Sequence, residues 1–164
     1  MAWLLDRGVM LCTSLDGPAD LHDRNRGWMG KTSSHATVTS WMQRFNQAYV
    51  ARGLDPELFH VDALMTTTRA SLERGRDIVD EYVRRGIRSL HLRPLNPFGF
   101  AVGTWSQIGY EMDAFLDFYR DTLDYILQLN RQEKEKARRS FKEALRLDPD
   151  FKKAAELLEK IDAG

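Results

Sequence analysis

An apolar run that ends in a tight polar turn most constrains the fold of this chain. Residues 8–12 (GVMLC) are apolar and typical of a strand, and residues 13–18 (TSLDGP) follow directly. In α/β folds, ligands collect beyond the carboxyl ends of parallel strands. The spacing therefore predicts a strand of a parallel sheet, followed by a candidate binding site in the Asp-Gly-Pro turn.

Strand and helix periodicity continues along the chain. Residues 38–49 have apolar side chains at i, i+3, i+4 and i+7, which predicts an amphipathic helix. Residues 59–67 predict a second strand, residues 71–86 a second helix and residues 87–95 a third strand. A long helical stripe begins at Met112. The order implies parallel strands with right-handed crossovers, so we expect an α/β core of about three strands with flanking helices.

The sequence changes character after residue 132. Residues 137–149 have the spacing A-x3-F-x2-A-x4-P, which is typical of the second helix of a tetratricopeptide (TPR) repeat. Residues 153–161 predict one more helix. We expect residues 1–132 to form the α/β core and residues 133–164 a TPR-like helical hairpin. Two amphipathic helices without repeat ancestry are the alternative.

Composition excludes several classes of function. The chain has 24 basic and 24 acidic residues, so no global positive field attracts nucleic acid or anionic lipid. The single cysteine, Cys12, excludes an internal disulfide and a self-contained thiolate cluster, and it fits a reducing, cytoplasmic compartment. The apolar start of the chain is interrupted by Asp6 and Arg7, too early for a membrane span. We expect neither nucleic-acid nor membrane partners.

Three segments resemble a known enzyme family. Residues 13–18, residues 21–26 (LHDRNR) and residues 92–95 (LRPL) resemble strand ends and loops of the radical S-adenosylmethionine (SAM) enzymes. The most similar branch is that of the SPASM-type peptide maturases, especially those of the His-Xaa-Ser peptide system. The resemblance covers residues 4–132 and implies about half of a partial (β/α) barrel.

The resemblance also implies what is missing. Enzymes of that family hold a [4Fe–4S] cluster on three cysteines spaced CxxxCxxC, and this chain has one cysteine. We therefore expect a fragment or split subunit of a peptide-modifying maturase, inactive as an isolated chain. Its partners would be a peptide substrate and a complementing chain that carries the cluster, or a second copy. The alternative is a non-catalytic interaction module, or a decayed remnant, that uses the TPR-like tail.

The resemblance and the residue chemistry together predict a SAM-binding wall without catalytic residues or metal ligands. Asp16 can accept hydrogen bonds from a ligand or from its own turn amides, and both alternatives are open. Arg24 and Arg26 can hold a carboxylate bidentately or lie solvated. Thr66 can line the same face or satisfy β propensity. The predicted cofactor-binding residues are Ser14, Asp16, Arg24, Arg26, Thr66, Arg93 and Leu95.

Overall fold

The structure, a computed structural model, describes residues 2–27 and 32–163. It divides into two units, the first ending at Thr122 and the second beginning at Leu123. Helix makes up 61% of the structure and strand 4%. The expected three-stranded partial barrel with flanking helices is therefore wrong, because these described residues are mainly helical and form a sheet of two strands.

Short elements surround the sheet in the first unit. Ser33 begins the longest helix within this unit, because its hydroxyl accepts a hydrogen bond from the Ala36 amide at 3.0 Å. That helix confirms the one predicted over residues 38–49. The elements of this unit are α1 (Ala2–Leu5), β1 (Cys12–Ser14), α2 (Ala19–Asn25), α3 (Ser34–Val50), β2 (Asp62–Leu64), a 3₁₀ turn (Arg69–Ser71), α4 (Gly75–Arg84) and α5 (Phe100–Ile108).

The two strands pair in parallel, as predicted for the first two of the three. Thr13 lies opposite Ala63 at the centre of the ladder. The Leu15 amide then donates to the Leu64 carbonyl at 3.0 Å, which carries the pairing to the end of β1. The carboxyl ends of β1 and β2 therefore lie side by side.

Residues 87–95, predicted as the third strand, form irregular backbone. Side chains hold this segment: the Ser89 hydroxyl donates to the Asp62 carboxylate at 2.9 Å, and the Leu95 amide donates to the Tyr110 hydroxyl at 2.6 Å. The apolar side chains that suggested a strand do pack against the core, but without a backbone ladder. They are Ile87, Leu90 and Leu92.

The turn after β1 is fixed by close packing with α4. Gly17 has φ +129°, and a Cβ at this position would lie 2.9 Å from Ile78 Cγ1. Only glycine satisfies both the backbone conformation and the close approach of the helix. The core around this contact contains the most enclosed apolar side chains, among them Leu15, Leu21, Tyr49, Met65 and Ile78.

A long helix, α6 (Met112–Leu147), begins in the first unit and continues into the second, which also contains α7 (Lys152–Asp162). Arg138 Nε of α6 donates to Asp162 of α7 at 2.7 Å, and Ala154 is buried. The predicted domain boundary after residue 132 lies within α6, and the assignment stays a prediction. No helix in the part of the chain that the structure describes is long and apolar enough to cross a membrane.

Candidate functional site

Asp16 lies at the centre of the site, directly beyond β1, and its side chain is only 1% exposed. Its carboxylate accepts hydrogen bonds from Arg26, with Nε at 2.9 Å and Nη2 at 3.1 Å, and from the Thr66 amide at 2.8 Å. Thr66 follows β2, so the carboxylate joins the carboxyl ends of both strands. A buried carboxylate is costly unless it is paired and hydrogen-bonded, and here it is both.

Arg26 directly follows α2 and completes this cluster. Its Nη2 also donates to the Thr66 hydroxyl at 3.1 Å, so Asp16, Arg26 and Thr66 contact one another. The sequence left two partners open for the Asp16 carboxylate, a ligand or the amides of its own turn. In the structure the carboxylate accepts hydrogen bonds from Arg26 and from the Thr66 amide. Two of the three guanidinium nitrogens of Arg26 are thereby engaged within the protein.

A cavity of about 410 Å³ adjoins the cluster. Five of the seven predicted cofactor-binding residues line it, and they come from three separate segments of the chain. These five are Asp16, Arg24, Arg26, Thr66 and Leu95. The other two do not line the cavity: Ser14 lies within β1, opposite Leu64, and Arg93 lies on the irregular segment. The volume lies within the range of about 300–1,000 Å³ that is usual for small-molecule sites.

Three polar residues that line the cavity were missed by the sequence analysis: Asn25, Thr68 and Gln107. The Thr68 hydroxyl donates to Asn25 Oδ1 at 3.0 Å, whereas the buried Asn25 Nδ2 has no hydrogen-bond partner among the described residues. A buried donor without a partner carries a desolvation cost. Asn25 lies between Arg24 and Arg26 in the sequence, and that position was the only signal that could have indicated it.

Arg24 contributes the free positive charge of the site. It lines the cavity, is exposed to solvent, and makes no ion pair or hydrogen bond with the described residues. The charge of Arg26, in contrast, is balanced by Asp16 at 2.9 Å. The cavity therefore has a net positive charge from Arg24 and favours an anionic group such as a carboxylate.

Two side chains, Arg69 and Tyr110, hold the part of the cavity wall that the end of α5 forms. Arg69 Nε donates to the Gly109 carbonyl at 2.8 Å, immediately after α5. The Tyr110 hydroxyl accepts from the Leu95 amide at 2.6 Å and donates to the Thr67 carbonyl at 3.3 Å. Burial raises the pKa of Tyr110, which keeps this hydroxyl protonated and able to donate. The α5 wall is thus anchored to the segment that follows β2.

The buried side chain of His22 binds the backbone of the turn that follows β1. His22 Nδ1 accepts a hydrogen bond from the Asp16 amide at 3.1 Å, and His22 Nε2 lies 3.2 Å from the Ser34 hydroxyl. Burial lowers the pKa of His22, which favours the neutral ring. Because Nδ1 accepts, the proton belongs on Nε2, and the ring donates to Ser34. His22 therefore acts as a structural link between α2, α3 and the site.

A second buried pair lies next to this histidine. The rings of His22 and His35 are 5.8 Å apart, and His35 Nε2 lies 2.9 Å from the Glu81 carboxylate on α4. Burial raises the pKa of Glu81, but hydrogen bonds from Arg85, Arg84 and His35 outweigh it and lower the pKa below its usual value. The charged carboxylate is therefore satisfied within the protein. The partners of these two histidines lie 6 to 46 positions away in the sequence, so residue spacing alone does not indicate them.

The resemblance implies two groups, a [4Fe–4S] cluster and SAM, and the side chains present do not fit both equally. Within residues 2–27 and 32–163, no group of three or more His, Cys, Asp or Glu side chains is arranged to hold a metal ion. Cys12 is an exposed thiol on β1, and one thiolate does not fit a cluster that needs three. SAM fits better, because Arg24 lines the cavity and can pair with its carboxylate.

Comparison of the chain with protein-family models, curated proteins and solved structures found no match. The resemblance to the radical SAM maturases therefore stays a prediction that depends on the three segments described above.

Proposed function

We propose that this chain is a fragment or split subunit of a radical SAM peptide-modifying maturase and that it binds SAM in the cavity beside Asp16. The observation that carries the proposal is the convergence of five predicted residues from separate segments on one cavity. Without cluster cysteines the chain is not expected to be catalytic alone. It would act in the cytoplasm with a complementing chain or a second copy, and with a peptide substrate.

The residues of the cavity have distinct tasks in this proposal. Arg24 pairs with the ligand carboxylate. Asp16 and Thr66 hold Arg26 at the floor of the cavity, while Leu95 provides an apolar wall. Bound SAM supplies the radical chemistry of that family only where a cluster is present, so the task of these residues is to bind and orient.

Calorimetric titration of the full chain with SAM tests the proposal. We expect Arg24→Ala to weaken binding by about tenfold or more, because a charge-assisted hydrogen bond is lost. Arg44→Ala is the matched control, since Arg44 is an exposed arginine of α3 that lies over the ring of Trp41. If SAM fails to bind at about 1 mM, or if both variants weaken binding equally, the proposed function is wrong.

A protein-interaction module that uses the TPR-like tail is the second candidate. It is favoured by two exposed apolar side chains at the turn between α6 and α7, Leu147 and Phe151. Exposed apolar groups at the end of a helical hairpin are typical of contact surfaces. A chain that does not bind SAM but forms a dimer through this turn would support this candidate instead.

A further inference from the structure

His22 joins the candidate site to the protein interior through both of its ring nitrogens. The residue is 1% exposed, its Nδ1 accepts the Asp16 amide at 3.1 Å, and its Nε2 lies 3.2 Å from the Ser34 hydroxyl. The carboxylate of the same Asp16 accepts hydrogen bonds from Arg26 and from the Thr66 amide. His22 therefore fixes the backbone of Asp16, and Asp16 in turn fixes two residues that line the cavity.

The hydrogen bond to the Asp16 amide requires the neutral form of the His22 ring. A neutral imidazole has one nitrogen that accepts and one that donates, whereas a protonated imidazole has two donors and no acceptor. Protonation of His22 therefore sets an N–H group against the buried N–H group of Asp16. A buried donor without an acceptor is costly, so the turn moves to relieve the contact, and Asp16 moves with it.

The surroundings of the ring favour the neutral form. Burial is the largest influence and lowers the pKa of His22. Four charged or titratable side chains also act on the ring: Asp16, Asp23, Arg26 and His35. The two carboxylates favour the protonated ring, whereas the arginine and the second histidine disfavour it. His35 itself, on α3, contacts the Glu81 carboxylate of α4 at 2.9 Å.

A shift of the Asp16 turn reaches the cavity directly. Asp16, Arg26 and Thr66 all line it, and the Asp16 carboxylate holds the other two at 2.9 and 2.8 Å. A ligand that needs this arrangement and a proton that disrupts it oppose each other. By thermodynamic linkage, each weakens the binding of the other by the same factor.

We propose that His22 is a positioning residue for the cavity beside Asp16 and that its neutral ring is required for ligand binding there. This role rests on the proposed function and deepens it, because it names the residue and the protonation state that regulate the SAM site. His22 does not line the cavity and acts through the Asp16 turn.

Calorimetric titration of the full chain with SAM, at several pH values between about 7.5 and 5, tests this role. In wild type we expect the Kd to rise as the pH falls, by up to about tenfold per pH unit once the ring titrates. His22→Asn is the conservative variant, because the amide oxygen of asparagine takes the place of Nδ1 and does not titrate. Its Kd should lie within about threefold of the wild-type value at pH 7.5 and rise by less than about threefold down to pH 5.

His22→Gln tests the other ring nitrogen. The longer glutamine amide takes the place of Nε2, so it keeps the Ser34 contact but leaves the Asp16 amide without its acceptor. We expect this variant to bind SAM about tenfold more weakly than His22→Asn at pH 7.5. His91→Gln, which changes an exposed histidine, should follow wild type at every pH. Circular dichroism at each pH checks that each protein is folded.

An NMR titration of the His22 ring gives a readout that a merely structural role would not change. Bound SAM should lower the pKa of the ring, because the linkage is reciprocal. The inference is overturned by a wild-type Kd that does not change with pH, by an equal rise in wild type and His22→Asn, or by equal affinity of His22→Asn and His22→Gln at pH 7.5. Any of these results leaves the proposed function intact as long as SAM binds. A wild-type chain that does not bind SAM at about 1 mM and pH 7.5 refutes the proposed function, and this role with it.

Discussion

Removal of the Asp16 carboxylate should strongly destabilise the first unit. In Asp16→Ala the Thr66 amide loses its acceptor at 2.8 Å, and the Arg26 guanidinium loses a partner that holds it at 2.9 and 3.1 Å. Breaking a fully buried ion pair costs about 3–5 kcal/mol. The Arg26 side chain is 33% exposed and regains some hydration, which reduces the penalty. We therefore expect a loss of about 2–4 kcal/mol in the free energy of unfolding.

Urea unfolding followed by tryptophan fluorescence measures this loss, because all four tryptophans precede Leu123 and report on the first unit. Asp16→Asn keeps an oxygen for the Thr66 amide but sets an N–H group against Arg26, so its stability should be intermediate. Asp117→Ala removes an exposed carboxylate and is the control. The reasoning is refuted if Asp16→Ala unfolds at the same urea midpoint and with the same slope as Asp117→Ala.

Two further changes test the packing around the site. Because burial lowers the pKa of His22, its contribution to stability should be complete above about pH 6.5 and decline as the pH falls below that value. Urea midpoints from pH 7.5 to about 5 should show this decline in wild type and in the exposed-site variant His91→Gln, and a smaller decline in His22→Gln. Gly75→Ala should cost about 1–3 kcal/mol, because its Cβ would clash with the buried Thr122 hydroxyl. Gly103→Ala, in an α5 position with open space around it, should instead be neutral or slightly stabilising, and equal unfolding midpoints for the two variants would contradict the clash.

The sequence indicated that Asp16 and Thr66 lie together, because neighbouring parallel strands place their carboxyl ends side by side, whereas their role in binding a cofactor stays a prediction. Asp16 follows β1 and Thr66 follows β2, and the two residues are joined by a hydrogen bond across 50 positions. The helical periodicity of residues 38–49 likewise predicted α3, since one apolar face packs against the core. Both predictions depend on local patterns that the fold preserves.

The third strand could not be predicted correctly from the same kind of pattern. Alternating apolar residues indicate which side chains are buried, but they do not show whether a neighbouring strand is present to form the ladder. In residues 87–95 the apolar side chains pack on the core while Ser89 and Leu95 make their bonds to side chains. The apolar side chains of this segment are therefore buried by packing on the core, and no strand pairing is needed to bury them.

The residues that build the site also stabilise the first unit. This overlap determines which variant can change ligand binding without also changing the stability of the fold. Asp16, Arg26 and Thr66 connect the two strand ends to α2, so changing any of them alters folding and the cavity together. Arg24 lines the same cavity and pairs with nothing in the described chain. A ligand that binds only the folded state raises stability in proportion to the logarithm of its concentration relative to its Kd. Loss of that ligand-induced gain in Arg24→Ala, at an unchanged stability without ligand, would therefore report on binding alone.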